Sequence, residues 1–279
     1  MKKILPYIMI TRPLNVVIGG LTILISSVIS KYNGPINVIV LSTLVVVFYT
    51  MGANILNDYF DHKIDKINRP DRPISLGIIA RNHALIISIV SFIIGTLIAM
   101  QLNKNSQLVS IGISLPLIIM YNSKLKNYPL IGNIVVALIL SLTFIYAGVI
   151  FENTKPLIIP SLLCFGLTLI REIVKDMADY IGDNAVGAKT FPIVFGKNKT
   201  IVLCTVLSVL LGIGSFIPFL TGYYNIFYGV SLIMSVEIPL AVVVISLLNK
   251  PNIETAKRSA TILKFCTLGG LFSIYIGTM

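Results

Sequence analysis

The chain has 279 residues, is 56% hydrophobic, carries only 12% charged residues and has a mean hydropathy of +0.91. A soluble domain carries about a quarter charged residues, so this composition excludes an ordinary water-soluble fold and points to an integral membrane protein. In that setting the net charge of +11 marks basic loops beside a membrane, and no nucleic-acid partner is expected.

Met1-Lys2-Lys3 leads straight toward an apolar segment without a small-residue cleavage pattern. No cleaved signal peptide is expected, and residues 1–279 read as a single transmembrane domain. A spanning helix needs about 20 apolar residues. Nine segments qualify: 14–30, 36–60, 84–102, 106–121, 130–151, 156–180, 200–222, 226–248 and 259–278. Pro13, Pro35, Pro129, Pro156 and Pro251 sit near helix starts, where a missing N–H costs least. The expected fold is all-α, a polytopic membrane protein of about nine transmembrane helices around a central cavity. With the N-terminus in the cytoplasm, all but three of the 22 Lys and Arg residues fall on the cytoplasmic side; the exceptions are Lys31, Lys104 and Lys155. That bias predicts the orientation. Cys164, Cys204 and Cys266 lie inside apolar runs without metal-ligand spacing, and read as small buried residues.

The second segment ends in NILNDYFDHKID, residues 54–65. Three aspartates there are foreign to a lipid-facing helix. The sixth ends in EIVKDMADYIGD, residues 172–183. Aligned, Asp58, Asp61 and Asp65 fall on Asp176, Asp179 and Asp183, and Asn54 falls on Glu172. Offsets of four, seven and eleven put each set on one face of a continuous helix. The second and sixth spans run in the same direction, so the halves read as two parallel internal repeats. Both ladders then end on the cytoplasmic side, at one depth, where they can meet across a cavity. Like charges that close remain ionised only with cations between them. Oxygen ligands without histidine favour Mg²⁺, which commonly bridges carboxylates to phosphates. The expectation is a site for Mg²⁺ and a diphosphate.

The flanks suit an anion. KINRPDRPISLG follows the first ladder with Lys66, Arg69 and Arg72, and NAVGAKTFPIVFGKNK follows the second with Lys189. The loop after the fourth span, YNSKLKNYPLIGN, holds Tyr121, Lys124 and Lys126. Lys and Arg cradle phosphate oxygens, although each lysine taken alone reads better as a membrane-side anchor. Arg69 and Arg72 stand out because each precedes a proline that stiffens the loop. Lys124 and Lys126 are the expected partners of any phosphate on a second substrate.

At these residues the chain resembles the UbiA-type intramembrane prenyltransferases. NDYFDHKID matches their NDxxDxxxD motif and DYIGD their second DxxxD motif. The likeness extends over nearly the whole chain. It implies Mg²⁺-dependent transfer of a prenyl group from a prenyl diphosphate. By the same resemblance Asn57, Asp61 and Asp65 form one metal-ligand set and Asp179 and Asp183 the other, with Asp58 and Asp176 linked to them. The flanks NDYFDHKIDKINRPDRPI and REIVKDMADYIGDNAVGAKTFPIVFG most resemble the branch acting in archaeal ether-lipid synthesis. That branch carries a geranylgeranyl group to the hydroxyl of a lipid-like glycerol phosphate, with membrane lipids around it.

In this chemistry the cations stabilise the departing diphosphate while apolar walls keep water from the allylic carbon. His62 and His83 read as surface groups, so a ladder carboxylate or the released diphosphate is the expected proton acceptor. Tyr59, Tyr121 and Tyr180 offer π faces to a cation, or are interfacial aromatics. Three rival readings are a prenyltransferase with an aromatic or haem acceptor, an ion-coupled transporter, and a lipid-binding scaffold that would not need two metal ladders.

Overall fold

The computed structural model describes residues 4–279; Lys2 and Lys3, which enter the basic-residue bias, lie outside them. The described residues form helices joined by turns, with no strand among them. Eight helices are long and apolar enough to cross a membrane: Ile36–Phe60, Arg81–Ala99, Lys104–Ser123, Ile131–Ile150, Lys155–Ala178, Lys197–Leu220, Ile226–Asn249 and Ile253–Gly277. They are the second to ninth spans. The first, Pro13–Ile29, has 17 residues, the short limit for crossing. The protein is a multi-pass membrane protein, and each of the nine expected segments is helical.

Most boundaries shift by one to three residues, and two differences have clear local reasons. The ninth helix begins at Ile253, six residues before the expected 259, because the Asn252 side chain caps it by accepting the Thr255 N–H at 2.8 Å. The sixth ends at Ala178 instead of residue 180, because the chain breaks at Asp179. Short helices absent from the expectation fill the connections: Leu5–Ile10, His62–Asn68, Tyr180–Ala185 and Phe191–Phe195.

The contacts divide the chain into two compact units. The first comprises the chain up to Leu125 with Leu142–Leu157 and Ala185–Gly187. In it the second and third spans interlock through glycine and aromatic pairs. Gly52 faces the Phe92 ring and Gly95 faces Tyr49, so closely that a Cβ on either would lie under 3 Å from the ring. Small residues let membrane helices approach where the hydrophobic effect between them is absent. Tyr49 and Thr96 share a hydroxyl hydrogen bond at 3.0 Å, and the Ser88 hydroxyl donates to the Gly52 carbonyl at 2.8 Å. Ile10, Ile55, Ile79 and Ala84 form a buried cluster that pins the loop after the second span. That loop turns at Gly77, whose φ of +72° suits glycine.

The second unit comprises Lys126–Ser141, Ile158–Asn184 and Ala188–Met279. The sixth and ninth spans pack together in it. Tyr228 is fully buried and its hydroxyl donates to the Ser215 carbonyl at 2.7 Å.

The sequence repeat reaches beyond the acidic motifs. Among the described residues, four non-glycine positions have positive φ: Arg12, Lys31, Leu130 and Glu152. Arg12 and Lys31 flank the first span, and Leu130 and Glu152 flank the fifth. The fourth and eighth spans each contain a π-helical turn, Leu108–Ser114 and Ile233–Glu237, just ahead of Pro116 and Pro239. A proline removes one N–H and crowds the carbonyl four residues back. The wider turn accommodates both effects.

Candidate active site

The second span does not carry its acidic set on one unbroken helix. It stops at Phe60, and Asp61 joins it to His62–Asn68. The sixth span stops at Ala178, and Asp179 joins it to Tyr180–Ala185. The break thus falls at the same rung of both ladders. Register survives it: the amide of Asp61 bonds the Asn57 carbonyl at 2.9 Å and that of Asp65 bonds the Asp61 carbonyl at 2.8 Å. In the second ladder Asp179 bonds Lys175 at 2.9 Å and Asp183 bonds Asp179 at 3.1 Å. The rungs therefore keep a common stripe although the helix is interrupted.

In the first set Asp58 and Asp65 are 3% and 2% exposed. Arg72 Nη1 donates to both, at 2.9 Å to Asp58 Oδ1 and 2.5 Å to Asp65 Oδ2. Arg12 Nη2 donates to the same Asp58 oxygen at 2.5 Å and to Asn57 Oδ1 at 2.8 Å. Arg69 lies 3.5 Å from Asp65 Oδ1. Asn57 Nδ2 donates to Asp61 Oδ2 at 2.8 Å. Asn54 accepts from Asn15 at 3.3 Å and donates to the Thr11 carbonyl at 2.8 Å. Burial pushes the Asp65 carboxyl above its ordinary pKa against the pull of Arg72, and the neighbouring Asp61 and Asp58 add to the rise.

The second set has a different environment. Asp179 and Asp183 are buried. Asp176 Oδ2 accepts from Asn133 Nδ2 at 2.9 Å. Glu172 accepts from Arg171 Nη1 at 2.8 Å and from Lys175 Nζ at 3.0 Å. Lys124 and Lys189 are exposed, while Lys126 and Tyr121 are half-buried.

Two tyrosines carry cations already. The Arg81 guanidinium lies 4.1 Å from the centre of the Tyr59 ring, and Lys197 Nζ lies 5.1 Å from that of Tyr180. One face of each ring is therefore engaged by the protein's own charge. His62 is half-buried and not a plain surface group, and its Nδ1 is enclosed without a hydrogen-bond partner. Burial first, then Arg81, Lys63 and Lys66, lower its pKa. Arg12, Asn15 and Asn133 were not among the residues expected at the site. The signal for Arg12 was present, since it precedes Pro13 as Arg69 and Arg72 precede Pro70 and Pro73.

The donor set suits a hard cation. Two buried carboxylates converge on one guanidinium nitrogen, Nη1 of Arg72, so the space between Asp58 and Asp65 is built to hold positive charge. Among the described residues no three His, Cys, Asp or Glu side chains form a ready metal cage. Mg²⁺ rarely uses one: it binds one or two carboxylates and takes its other ligands from water and substrate phosphates.

The family model of the UbiA prenyltransferases matches residues 20–267. The chain belongs to the UbiA prenyltransferase family. Among its relatives is the digeranylgeranylglyceryl phosphate synthase of Pyrococcus horikoshii, 36% identical over 275 residues, covering 98% of this chain and 97% of the relative. A solved structure concerned with digeranylgeranylglyceryl phosphate synthase in membranes aligns with a TM-score of 0.77 at 30% identity, covering 100% of this chain and 99% of that one. A UbiA homologue from Archaeoglobus fulgidus, solved with GPP and Mg²⁺, has the same fold, with a TM-score of 0.69 at 20% identity over 96% of this chain and 99% of that one.

Proposed function

We propose that this UbiA-family protein transfers a geranylgeranyl group from geranylgeranyl diphosphate to the free hydroxyl of geranylgeranylglyceryl phosphate, in archaeal ether-lipid synthesis, with the whole chain acting as one domain. The observation that carries the reading is the acidic helix end, interrupted at the same rung in each half and met by basic residues. The near-full-length likeness to digeranylgeranylglyceryl phosphate synthases supports the choice of substrates.

Asn57, Asp61 and Asp65 in one half and Asp179 and Asp183 in the other are the proposed metal ligands, and Asp58 and Asp176 complete the catalytic carboxylates. Bound Mg²⁺ supplies charge that stabilises the leaving diphosphate. Arg12, Arg69 and Arg72, with Tyr121, Lys124, Lys126 and Lys189, are proposed to bind and orient substrate phosphates. The donor's C1–O bond breaks with its electron pair going to diphosphate. The acceptor oxygen bonds to C1, and its proton passes to a ladder carboxylate or to the released diphosphate. The isoprenoid chains lie among the apolar helices, where burial contributes about 0.8 kcal/mol per CH₂.

The test incubates purified protein with Mg²⁺, geranylgeranyl diphosphate and a choice of geranylgeranylglyceryl phosphate, its dephosphorylated form or 4-hydroxybenzoate, with products read by mass spectrometry. Preference for the phosphorylated ether supports the reading, and preference for the benzoate overturns the acceptor. The basic-residue bias supports a proposed orientation with the N-terminus and acidic ladders on the cytoplasmic side. Cysteines introduced as Asn68→Cys and Ala185→Cys should label from that side and Asn153→Cys from the other; labelling of the first two from opposite sides would refute this orientation.

A further inference from the structure

Arg171, Lys175, Asp179 and Asp183 recur every four residues and so share one stripe of the sixth span and its continuation. The amide bonds from Asp179 to Lys175 and from Asp183 to Asp179 keep that register across the break. At 1.5 Å per residue, Lys175 is rooted about 6 Å and Arg171 about 12 Å deeper along the helix than Asp179. The corresponding stripe of the second span reads Ala53, Asn57, Asp61 and Asp65. The inward pair of cations thus belongs to one half only.

Cations within a spanning helix are expensive and need a stated partner. Here both turn to the same carboxylate, Glu172. The side chains of Arg171 and Lys175 are only 22% and 26% exposed. Arg171 Nε is enclosed and has no hydrogen-bond partner. One turn on from Glu172, the Asp176 carboxylate is bonded by Asn133. A half-buried guanidinium with an unused N–H is a strong site for a planar or tetrahedral oxyanion. Lys124 is exposed, and screening leaves a surface cation far less to contribute.

Which anion fits follows from position. The proposed donor has its phosphate oxygens at the aspartates, and farther in along this stripe it presents carbon. The acceptor carries its phosphate two carbons from the attacking hydroxyl, so that phosphate must lie close to the reacting centre. We propose that Arg171 and Lys175 bind the phosphate of the acceptor, a role the sequence alone had suggested for Lys124 and Lys126. The assignment rests on the proposed acceptor.

The experiment crosses enzyme variants with substrate variants. Arg171→Gln, Arg171→Lys, Lys175→Gln and Lys124→Gln are each assayed with geranylgeranylglyceryl phosphate and with its dephosphorylated form, at saturating geranylgeranyl diphosphate and Mg²⁺. In the unmodified protein the phosphate should raise kcat/KM by about 30- to 100-fold, the scale of charge-assisted hydrogen bonds. Arg171→Gln and Lys175→Gln should shrink that ratio to a few-fold by raising the acceptor KM, leaving the donor KM unchanged; Arg171→Lys should restore part of it, and Lys124→Gln, at a residue proposed to meet the donor's diphosphate, should raise the donor KM and leave the ratio intact. A merely structural role would lower turnover with both acceptors alike and preserve the ratio, which overturns the assignment, as does a ratio lost only in Lys124→Gln or a rise in donor KM instead in Arg171→Gln and Lys175→Gln. If Arg171→Gln does not fold, the ratio in Lys175→Gln decides. Should the unmodified protein ignore the phosphate, the acceptor reading itself fails, and this assignment with it.

Discussion

The two acidic helix ends share spacing, position and backbone register, yet they are neutralised in different ways. Around the first ladder, arginines arrive from outside the helix: Arg12 from before the first span, Arg69 and Arg72 from the loop after the motif. Around the second, cations sit on the helix itself, and the polar reach from the fifth span is a neutral asparagine. The counterpart of Arg12 is Leu130, and both have positive φ. The counterpart of Asn133 is Asn15, and each asparagine donates to its own ladder helix. Duplication preserved the backbone device, and divergence rewrote the charges upon it. The lesson is that matched aspartates do not imply matched roles.

The largest test asks whether both ladders are needed. Asp61→Ala, Asp65→Ala, Asp179→Ala and Asp183→Ala should each lower prenyl transfer at least about 100-fold, the scale of removing one positioned electrostatic group. Excess EDTA should abolish turnover. Near-normal activity of a folded Asp179→Ala protein would make the second ladder structural and reduce the comparison to a relic.

A smaller effect separates the two modes of neutralisation. Arg12→Ala removes a charged partner from an Asp58 carboxylate that keeps only Arg72, and should cost about 1–3 kcal/mol. Asn133→Ala removes a neutral donor from Asp176 and should cost about 1 kcal/mol. Thermal unfolding in detergent should rank them in that order. The reverse ranking would show that arginine clamping of the first ladder contributes little to stability.

Much of this was legible in the sequence, for identifiable reasons. Hydrophobic length placed the spans, since a membrane sets one length for every crossing. The ladders were legible because acids in apolar helices are costly and therefore conspicuous. The break at Asp61 and Asp179 was not, because the spacing of side chains is the same on a straight helix and on one interrupted in register. Arg12 was hidden by its dual reading. A basic residue beside a first span looks like an anchor, and only folding shows it reaching Asp58. The arginines of all three Arg-Pro pairs, at residues 12, 69 and 72, bond or approach the first ladder. Proline keeps the preceding residue out of the right-handed helical region, and Arg12 (φ 54°) and Arg69 (φ −145°) both lie outside it. Arg171 reads in the sequence as one more basic residue, because its neighbour Glu172 is the one that belongs to the acidic alignment.

The smallest expected effect concerns His62, whose aligned counterpart is Tyr180. The first half has gathered so many cations that a further one is resisted. Burial, then Arg81, Lys63 and Lys66, hold the His62 pKa below its ordinary value of 6.5. With the folded pKa depressed, the stabilising contribution is intact above 6.5. It is lost as pH falls below that value, because the unfolded chain takes the proton first. Asp65 acts with the opposite sign: its raised pKa lets the folded state accept a proton more readily as pH falls. The two effects are separated by substitution. Between pH 7.5 and pH 5.5 the thermal midpoint of His62→Gln should fall less than that of the unmodified protein, by a margin smaller than the Arg12→Ala shift. Added salt should narrow the margin by screening Lys63, Lys66 and Arg81. An equal acid response in both proteins would mean that the cations around the first ladder do not reach His62.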